Sequence, residues 1–175
     1  MKSFQFLMFK FFSLYNILIP YQIPLPKLVD FCGTIQKGYF TENPYHNAAH
    51  IVDTLQAMHY LYFTANIRKY LKKGDILASF LANIIHDYEH PGYNNQFIVR
   101  TKHPLAVRYN DQSVLENHHL AASFILLFKE EFNFLENLTN KSMYELRKVI
   151  ISTVLNTDLS FHFNLLTELK IKLDK

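Results

Sequence analysis

The chain has 175 residues, of which 49% are hydrophobic and 19% are charged. This length is typical of one domain, and the apolar fraction is too high for a disordered chain. The 18 basic and 15 acidic residues give a net charge of +3, and no basic run is longer than Lys72-Lys73. This balance argues against nucleic acid and anionic membranes as partners. The single cysteine, Cys32, provides no disulfide framework and fits a reducing, intracellular compartment, and we expect a cytoplasmic location.

Glycine and proline, which form the turns between strands in β-rich folds, are confined to the first part of the chain. All 4 glycines and 6 prolines lie at or before Pro104. Strands need turn residues every ~8–12 positions, so the chain from Leu105 onward is predicted to be helical. In the first part, apolar residues recur at helical spacing. One such stripe consists of Leu28, Phe31, Cys32 and Ile35. The sequence therefore predicts an all-α fold, a compact multi-helix bundle.

The predicted helices follow one another with short connections. The first nineteen residues are predicted to form a buried amphipathic helix and not a secretory signal, because Lys10 interrupts the apolar run and no cleavage site follows. No uncharged apolar stretch is long enough for a transmembrane span. Asp75 and Ser113 are interpreted as helix N-caps. The later helices are predicted from Pro26 to about Gly38, His46 to Phe63, Asp75 to about His86, Ser113 to about Glu130, Lys141 to Asn156 and Leu159 to Leu173.

Four of the nine histidines fall into two tight clusters. His46 and His50 are four residues apart, so on the predicted helix they project from one face. The second cluster, from His86 to His90, places an adjacent His-Asp pair and a further histidine at the end of a strongly apolar helix. Neutral imidazoles and carboxylates are ligands of borderline and hard divalent cations. These clusters indicate a metal site.

Each of these residues also has a structural interpretation. Glu116 stands three residues after Ser113, as in a capping box. At least one of His118 and His119 is favoured as a half-buried helix residue. The remaining isolated histidines are interpreted as surface or core residues, namely His59, His103 and His162. The clusters as a whole still favour a ligand, because burying so many polar rings without one is costly.

Four motif blocks resemble the class I cyclic-nucleotide phosphodiesterases. Residues 86–97 read HDYEHPGYNNQF and resemble the family signature H-D-x-x-H-x-G-x-x-N-x-F. The other blocks are similar to family elements and read NPYHNAAHIVD, YNDQSVLENHHL and VLNTDLSFHF. The blocks occur in the family's order from about Ile19 onward, which makes the match specific. Tyr88 and the preceding IPLPKL stretch resemble the calcium/calmodulin-regulated branch.

The resemblance implies metal-dependent hydrolysis of 3′,5′-cyclic nucleotides, cAMP or cGMP, to 5′-nucleotides in signalling. It assigns the tight zinc site to His50, His86 and Asp87, with Asp87 bridging to a second ion, Mg²⁺ or Mn²⁺. It assigns the waters around that second ion to His90, Glu116 and Thr157. It makes His46 the general acid that protonates the leaving 3′ oxygen. The supporting positions are Tyr45, Asp53, Asn95 and Asp158.

The resemblance further implies that residues 1–175 form a single, truncated catalytic domain whose motif-bearing region is 45–158. The family's further zinc aspartate, purine-binding glutamine and aromatic clamp have no counterpart here, so weak or absent activity is expected, and the preference between cAMP and cGMP is not predicted. The alternative is a non-catalytic, metal-binding helical remnant or interaction module. Exposed apolar surface at Phe161, Leu165 and Leu169 would then permit homo- or hetero-association.

Overall fold

Nine α-helices lie within residues 3–174, the part of the chain that the computed structural model describes. They are α1 Ser3–Leu14, α2 Leu25–Lys37, α3 Ala48–Thr64, α4 Lys73–Ile85, α5 Asn95–Arg100, α6 Pro104–Arg108, α7 Val114–Leu127, α8 Asn140–Leu155 and α9 His162–Leu173. Two 3₁₀ turns span Ile67–Tyr70 and Leu159–Phe161. The described residues contain no β-strand. The predicted all-α fold is confirmed.

Helix α4 is the centre of the core. It packs against α3, α7 and α8. The apolar stripe of its sequence is buried together with Ile76, Ala78 and Ala82, so α4 is covered on most of its circumference. This stripe, at helical spacing, consists of Leu77, Phe80, Leu81, Ile84 and Ile85. The ring of Phe80 also contacts the rings of Phe11 and Tyr15 from the N-terminal part of the chain. His86 and Asp87 follow α4 directly, and they are therefore attached to the most deeply buried helix of the fold.

The N-terminal helix is buried as predicted. In α1, the side chains of Phe4, Met8 and Phe12 are almost completely inaccessible to solvent. They join the same core as the buried stripe of α2. In residues 3–174, every helix is too short or too polar to cross a lipid bilayer.

Two predicted helix starts are wrong because other groups cap the helices, and the third, after Ser113, is right in position but lacks the predicted side-chain cap. Helix α3 begins at Ala48 and not at His46, since the Asn47 side chain accepts a hydrogen bond from the backbone of Ala49. Helix α4 begins at Lys73, and the Asp75 carboxylate reaches back to the Lys72 backbone N–H at 2.9 Å. Ser113 precedes α7, but its side chain does not cap that helix. Helix α7 also ends at Leu127, before the predicted Glu130.

Helix α9 exposes apolar side chains, as the sequence predicts. Phe161, just before α9, is 41% exposed, and within the helix Leu165 and Leu169 are 40% and 53% exposed. No residue of α9 from His162 to Leu173 is buried. Association through this face stays a prediction.

Gly38, at the end of α2, lies against the ring of Tyr88. A Cβ atom at position 38 would meet Tyr88 Cε2 well inside contact distance. We expect Gly38→Ala to lower the free energy of unfolding by about 1–3 kcal/mol, because the ring or the helix end must shift. Urea denaturation monitored by circular dichroism measures the change.

Gly33→Ala is the matched control in the same helix. A Cβ at position 33 meets chiefly the end of the Gln5 side chain, at 2.5 Å from its Nε2, which can move aside at the cost of its hydrogen bond to the Val29 carbonyl. The gain in helix propensity, about 0.5–1 kcal/mol, offsets that contact. Equal stability changes in the two variants would contradict the close approach at Gly38.

Candidate metal centre

The His86 ring is oriented by the last turn of α4. Its Nδ1 atom lies 2.7 Å from the carbonyl oxygen of Asn83. A carbonyl can only accept, so Nδ1 donates, and in the neutral ring Nε2 carries the lone pair. That Nε2 atom lies 3.0 Å from Asp87 Oδ2 and 3.2 Å from His50 Nε2. The ring therefore presents a ligand-type nitrogen to two other ligand-type atoms.

The three ligand-type atoms of His50, His86 and Asp87 form a small triangle. The third side, from His50 Nε2 to Asp87 Oδ2, measures 3.3 Å. Tetrahedral zinc with bonds of ~2.0–2.1 Å places its ligand atoms about 3.3–3.4 Å apart. All three side chains are only partly exposed, at 11% for His50 and 14% for the other two. The donor set and its spacing fit a divalent ion of the zinc type.

The electrostatics of the triangle also favour a bound cation. Burial lowers the pKa of His50, and the neighbouring His86 lowers it further. Burial opposes charge on His86, but the Asp87 carboxylate outweighs it and the pKa of His86 is raised. Burial would raise the pKa of Asp87, yet the hydrogen bond and charge of His86 hold it well below its usual range. One positive charge is thus favoured between these groups, and a metal ion can replace the proton there.

His46, Asp87 and His90 form a second group with metal-ligand spacing. The Nδ1 atom of His90 accepts a hydrogen bond from the Gly92 N–H at 3.0 Å, so the proton of the neutral ring resides on Nε2. Burial, reinforced by His46, lowers the pKa of His90 to about 4, which keeps the ring neutral. In this orientation His90 donates a hydrogen bond and offers no lone pair to an ion. It is suited to holding a water or an anionic oxygen.

His46 lies in the turn before α3, so the predicted arrangement of His46 and His50 on one helix is wrong. The two rings are nevertheless close, with centroids 5.8 Å apart. His46 stacks on His90 at 3.8 Å, and its Nε2 lies 4.0 Å from Asp87 Oδ2. The Asn43 amide holds this turn by donating to the carbonyls of His46 and His90. The His46 side chain is 34% exposed, so an external molecule can reach it.

Tyr45 and Asn95 flank the cluster in different ways. The exposed ring of Tyr45 contacts His50, with centroids 4.6 Å apart. Asn95 donates from Nδ2 to the Glu116 carboxylate and accepts at Oδ1 from the Leu115 N–H, both at 2.9 Å. Asn95 thereby fixes the first turn of α7 and the direction of the Glu116 side chain.

The predicted capping box of Ser113 and Glu116 is wrong. Ser113 Oγ donates to Asp158 Oδ2 at 2.8 Å, and Glu116 pairs with Asn95. Burial raises the pKa of Glu116, although the Asn95 hydrogen bond opposes the rise, and the negative charge of Asp87 adds to it. The Glu116 carboxylate is therefore held by Asn95 and not by the cap of α7.

Three predicted site residues lie further out. Thr157 donates to the Val154 carbonyl at 2.7 Å, and Asp158 accepts from Ser113 and from the Ser160 N–H. Asp53 is exposed one helical turn beyond His50. In residues 3–174, no hydrogen bond or ion pair joins Thr157 or Asp53 to the histidine cluster.

His119 borders the cluster, although its sequence position gave no distinct role. It is 1% exposed, and its Nδ1 donates to the Tyr88 carbonyl at 2.6 Å. Its Nε2 lies 3.9 Å from Asp87 Oδ1. Burial lowers the pKa of His119 to about 3. His118 instead pairs with Glu89 at 2.9 Å. His119 lies four residues after the buried Leu115, and this helical spacing places both side chains on the core face of α7. The spacing could have predicted that His119 is buried.

A helical fold that gathers imidazoles and a carboxylate in this way offers a candidate metal site. Residues 45–175 match the family described as 3′5′-cyclic nucleotide phosphodiesterase. The chain therefore belongs to the cyclic nucleotide phosphodiesterase family, and the resemblance seen in the motifs is confirmed.

Individual relatives support the assignment. The chain is 38% identical over 173 residues to the dual specificity calcium/calmodulin-dependent 3′,5′-cyclic nucleotide phosphodiesterase 1C of Mus musculus, covering 98% of this chain and 24% of the relative. The Homo sapiens protein of that name gives the same identity and coverage. The phosphodiesterase domain of the RhoPDE fusion protein from the choanoflagellate Salpingoeca rosetta has a TM-score of 0.90 and 32% identity, covering 96% of this chain and 52% of that one. The chain thus spans about a quarter of the length of these curated relatives.

Proposed function

We propose that residues 1–175 belong to a single catalytic domain that hydrolyses 3′,5′-cyclic nucleotides, cAMP or cGMP, to 5′-nucleotides in intracellular signalling. The observation that carries this proposal is the triangle of His50, His86 and Asp87, with His46 beside it, in a member of the phosphodiesterase family. A cyclic phosphodiester needs a nucleophile, neutralisation of phosphoryl charge and a proton for the departing alkoxide. The cluster offers groups for each of these tasks.

The donor sets support two ion positions. Zinc would be held by His50, His86 and Asp87, and Asp87 would also contribute to holding Mg²⁺ or Mn²⁺, which prefer oxygen ligands and water. When bound, the two ions supply a water of lowered pKa and neutralise phosphoryl charge. His90 would hold a water through its Nε2 proton. The family resemblance also assigns Glu116 and Thr157 to the waters around the second ion, from which both would accept hydrogen bonds.

His46 is the group best placed to protonate the leaving 3′ oxygen. It is partly exposed, unlike the buried His119. It also lies next to the metal triangle without being part of it, at 4.0 Å from Asp87. A proton delivered from its Nε2 would neutralise the alkoxide as the bond to phosphorus breaks.

The test is to purify the chain, load it with zinc and magnesium, and follow 5′-AMP and 5′-GMP by chromatography. We expect slow formation of a 5′-nucleotide that stops when a chelator removes the ions. Slow turnover is expected because the matched region is about half of the solved phosphodiesterase chain, at 52%. Products other than 5′-nucleotides, or turnover that a chelator does not affect, would contradict the proposal.

A second candidate is a metal-binding helical module without catalysis. The exposed apolar face of α9 favours it, because such a face is typical of a surface that another polypeptide covers. Zinc binding without any 5′-nucleotide formation would support this candidate over the first.

A further inference from the structure

We infer that Tyr39 is a positioning residue that holds the metal-ligand pair His86-Asp87 in place through its buried hydroxyl. The inference rests on the proposed metal centre and concerns a residue outside its ligand set. Tyr39 follows α2 and lies 48 positions before Asp87 in the chain. Its side chain is only 2% exposed.

The Tyr39 hydroxyl makes two hydrogen bonds at the point where α4 ends. It donates to the carbonyl oxygen of Ile84 at 3.1 Å and accepts from the backbone N–H of Asp87 at 3.2 Å. One oxygen atom therefore links the last turn of α4 to the residue that contributes the carboxylate. Replacing the hydroxyl with hydrogen leaves a buried donor and a buried acceptor unpaired.

The carbonyl oxygens of the last three residues of α4 all accept hydrogen bonds from groups near the end of the helix. The Asn83 carbonyl accepts from the His86 ring, and the Ile85 carbonyl accepts from the Tyr88 N–H. The Ile84 carbonyl depends on Tyr39. Because a helix end leaves its final carbonyls without intrahelical partners, these contacts decide the path of the chain beyond it. Within residues 3–174, Tyr39 supplies the contact to these carbonyls that comes from a distant part of the sequence.

Gly38 adds a second support to the same segment. Its carbonyl accepts a hydrogen bond from the Glu89 N–H at 3.1 Å. Its missing side chain leaves room for the Tyr88 ring. Glu89 has a left-handed backbone, with φ at 59°, a conformation that costs free energy and needs such support. The end of α2 thus holds the segment from Asp87 to Glu89 at three successive residues.

The experiment compares Tyr39→Phe with the control Tyr62→Phe. Both substitutions remove one hydroxyl from a buried tyrosine, and the Tyr62 hydroxyl donates to Ser79 Oγ, away from the ligands.

Cobalt titration, followed by the visible absorption of the bound ion, gives affinity and ligand geometry. Thermal melting of the metal-free proteins gives stability. Outer contacts of metal ligands typically contribute 10–100-fold in affinity, so we expect Tyr39→Phe to bind cobalt at least ~10-fold more weakly with an altered spectrum. Tyr62→Phe should bind as the wild type does.

Each outcome has a distinct meaning. Wild-type cobalt affinity in Tyr39→Phe, or equal losses in both variants, overturns the positioning role. A wild-type chain that binds no cobalt overturns the proposed metal centre itself. Should Tyr39→Phe fail to fold, Gly38→Ala tests the same support, because it displaces the segment through Tyr88. Unchanged cobalt affinity in a folded Gly38→Ala protein then overturns the inference.

Discussion

Substitution of Asp87 by alanine is expected to abolish the rise in melting temperature that zinc gives to the wild-type chain. Asp87 Oδ2 lies 3.0 Å from His86 Nε2 and 3.3 Å from His50 Nε2, so the substitution removes the anionic ligand that the two imidazoles share. A ligand at 100 times its Kd adds about 2.7 kcal/mol to the stability of the folded state. For a chain of this length that corresponds to a rise of roughly 5–10 °C, which should be absent in Asp87→Ala.

Differential scanning calorimetry with and without zinc measures this rise. Asp30→Ala is the matched control, because Asp30 is an exposed aspartate of α2 with no part in the site. The comparison uses each variant's own metal-free melting temperature, since Asp87 also interacts with the histidines when no ion is bound. A zinc-dependent rise that persists in Asp87→Ala, or one that is missing from the wild type, would contradict the proposed ligand set.

The sequence was sufficient for the helical class and for most helix positions. The scarcity of turn residues after Pro104 predicted α7, α8 and α9, and the apolar stripes predicted the buried faces of α2 and α4. Helix starts were harder to predict, because several polar side chains compete for the same backbone N–H groups. At the start of α3, the Asn47 side chain is the one that accepts from such an N–H group. The short helices α5 and α6 were not predicted, since 6 and 5 residues carry little periodicity.

The candidate site was predictable in its residue types but not in its supports. The motif clusters identified the imidazoles and the carboxylate that form the triangle. The roles of His119 and Tyr39 depend on contacts between distant parts of the chain. His119 donates to a carbonyl 31 positions away, and Tyr39 contacts Asp87 across 48 positions. Such contacts arise from helix packing, which a pattern within one helix does not specify.

His46→Gln is expected to lower the rate of cAMP hydrolysis by about 10²-fold or more, while zinc binding is retained. A positioned general acid contributes ~10²–10⁴ to a rate, and the leaving 3′ alkoxide is too basic to depart readily without a proton. Zinc binding should persist because His46 is outside the triangle and its Nε2 lies 4.0 Å from Asp87 Oδ2. Formation of 5′-AMP from labelled cAMP measures the rate, and calorimetric zinc titration measures the binding.

A second substrate separates proton donation from other roles of His46. Bis(4-nitrophenyl) phosphate releases a nitrophenolate, which departs without protonation, so His46→Gln should hydrolyse it at close to the wild-type rate. The control His162→Gln removes an exposed histidine of α9 and should leave both rates unchanged. Equal losses on the two substrates would mean that His46 acts by holding the phosphate or a metal-linked water. A selective loss on cAMP is the result that general-acid catalysis requires, because only that leaving group needs the proton.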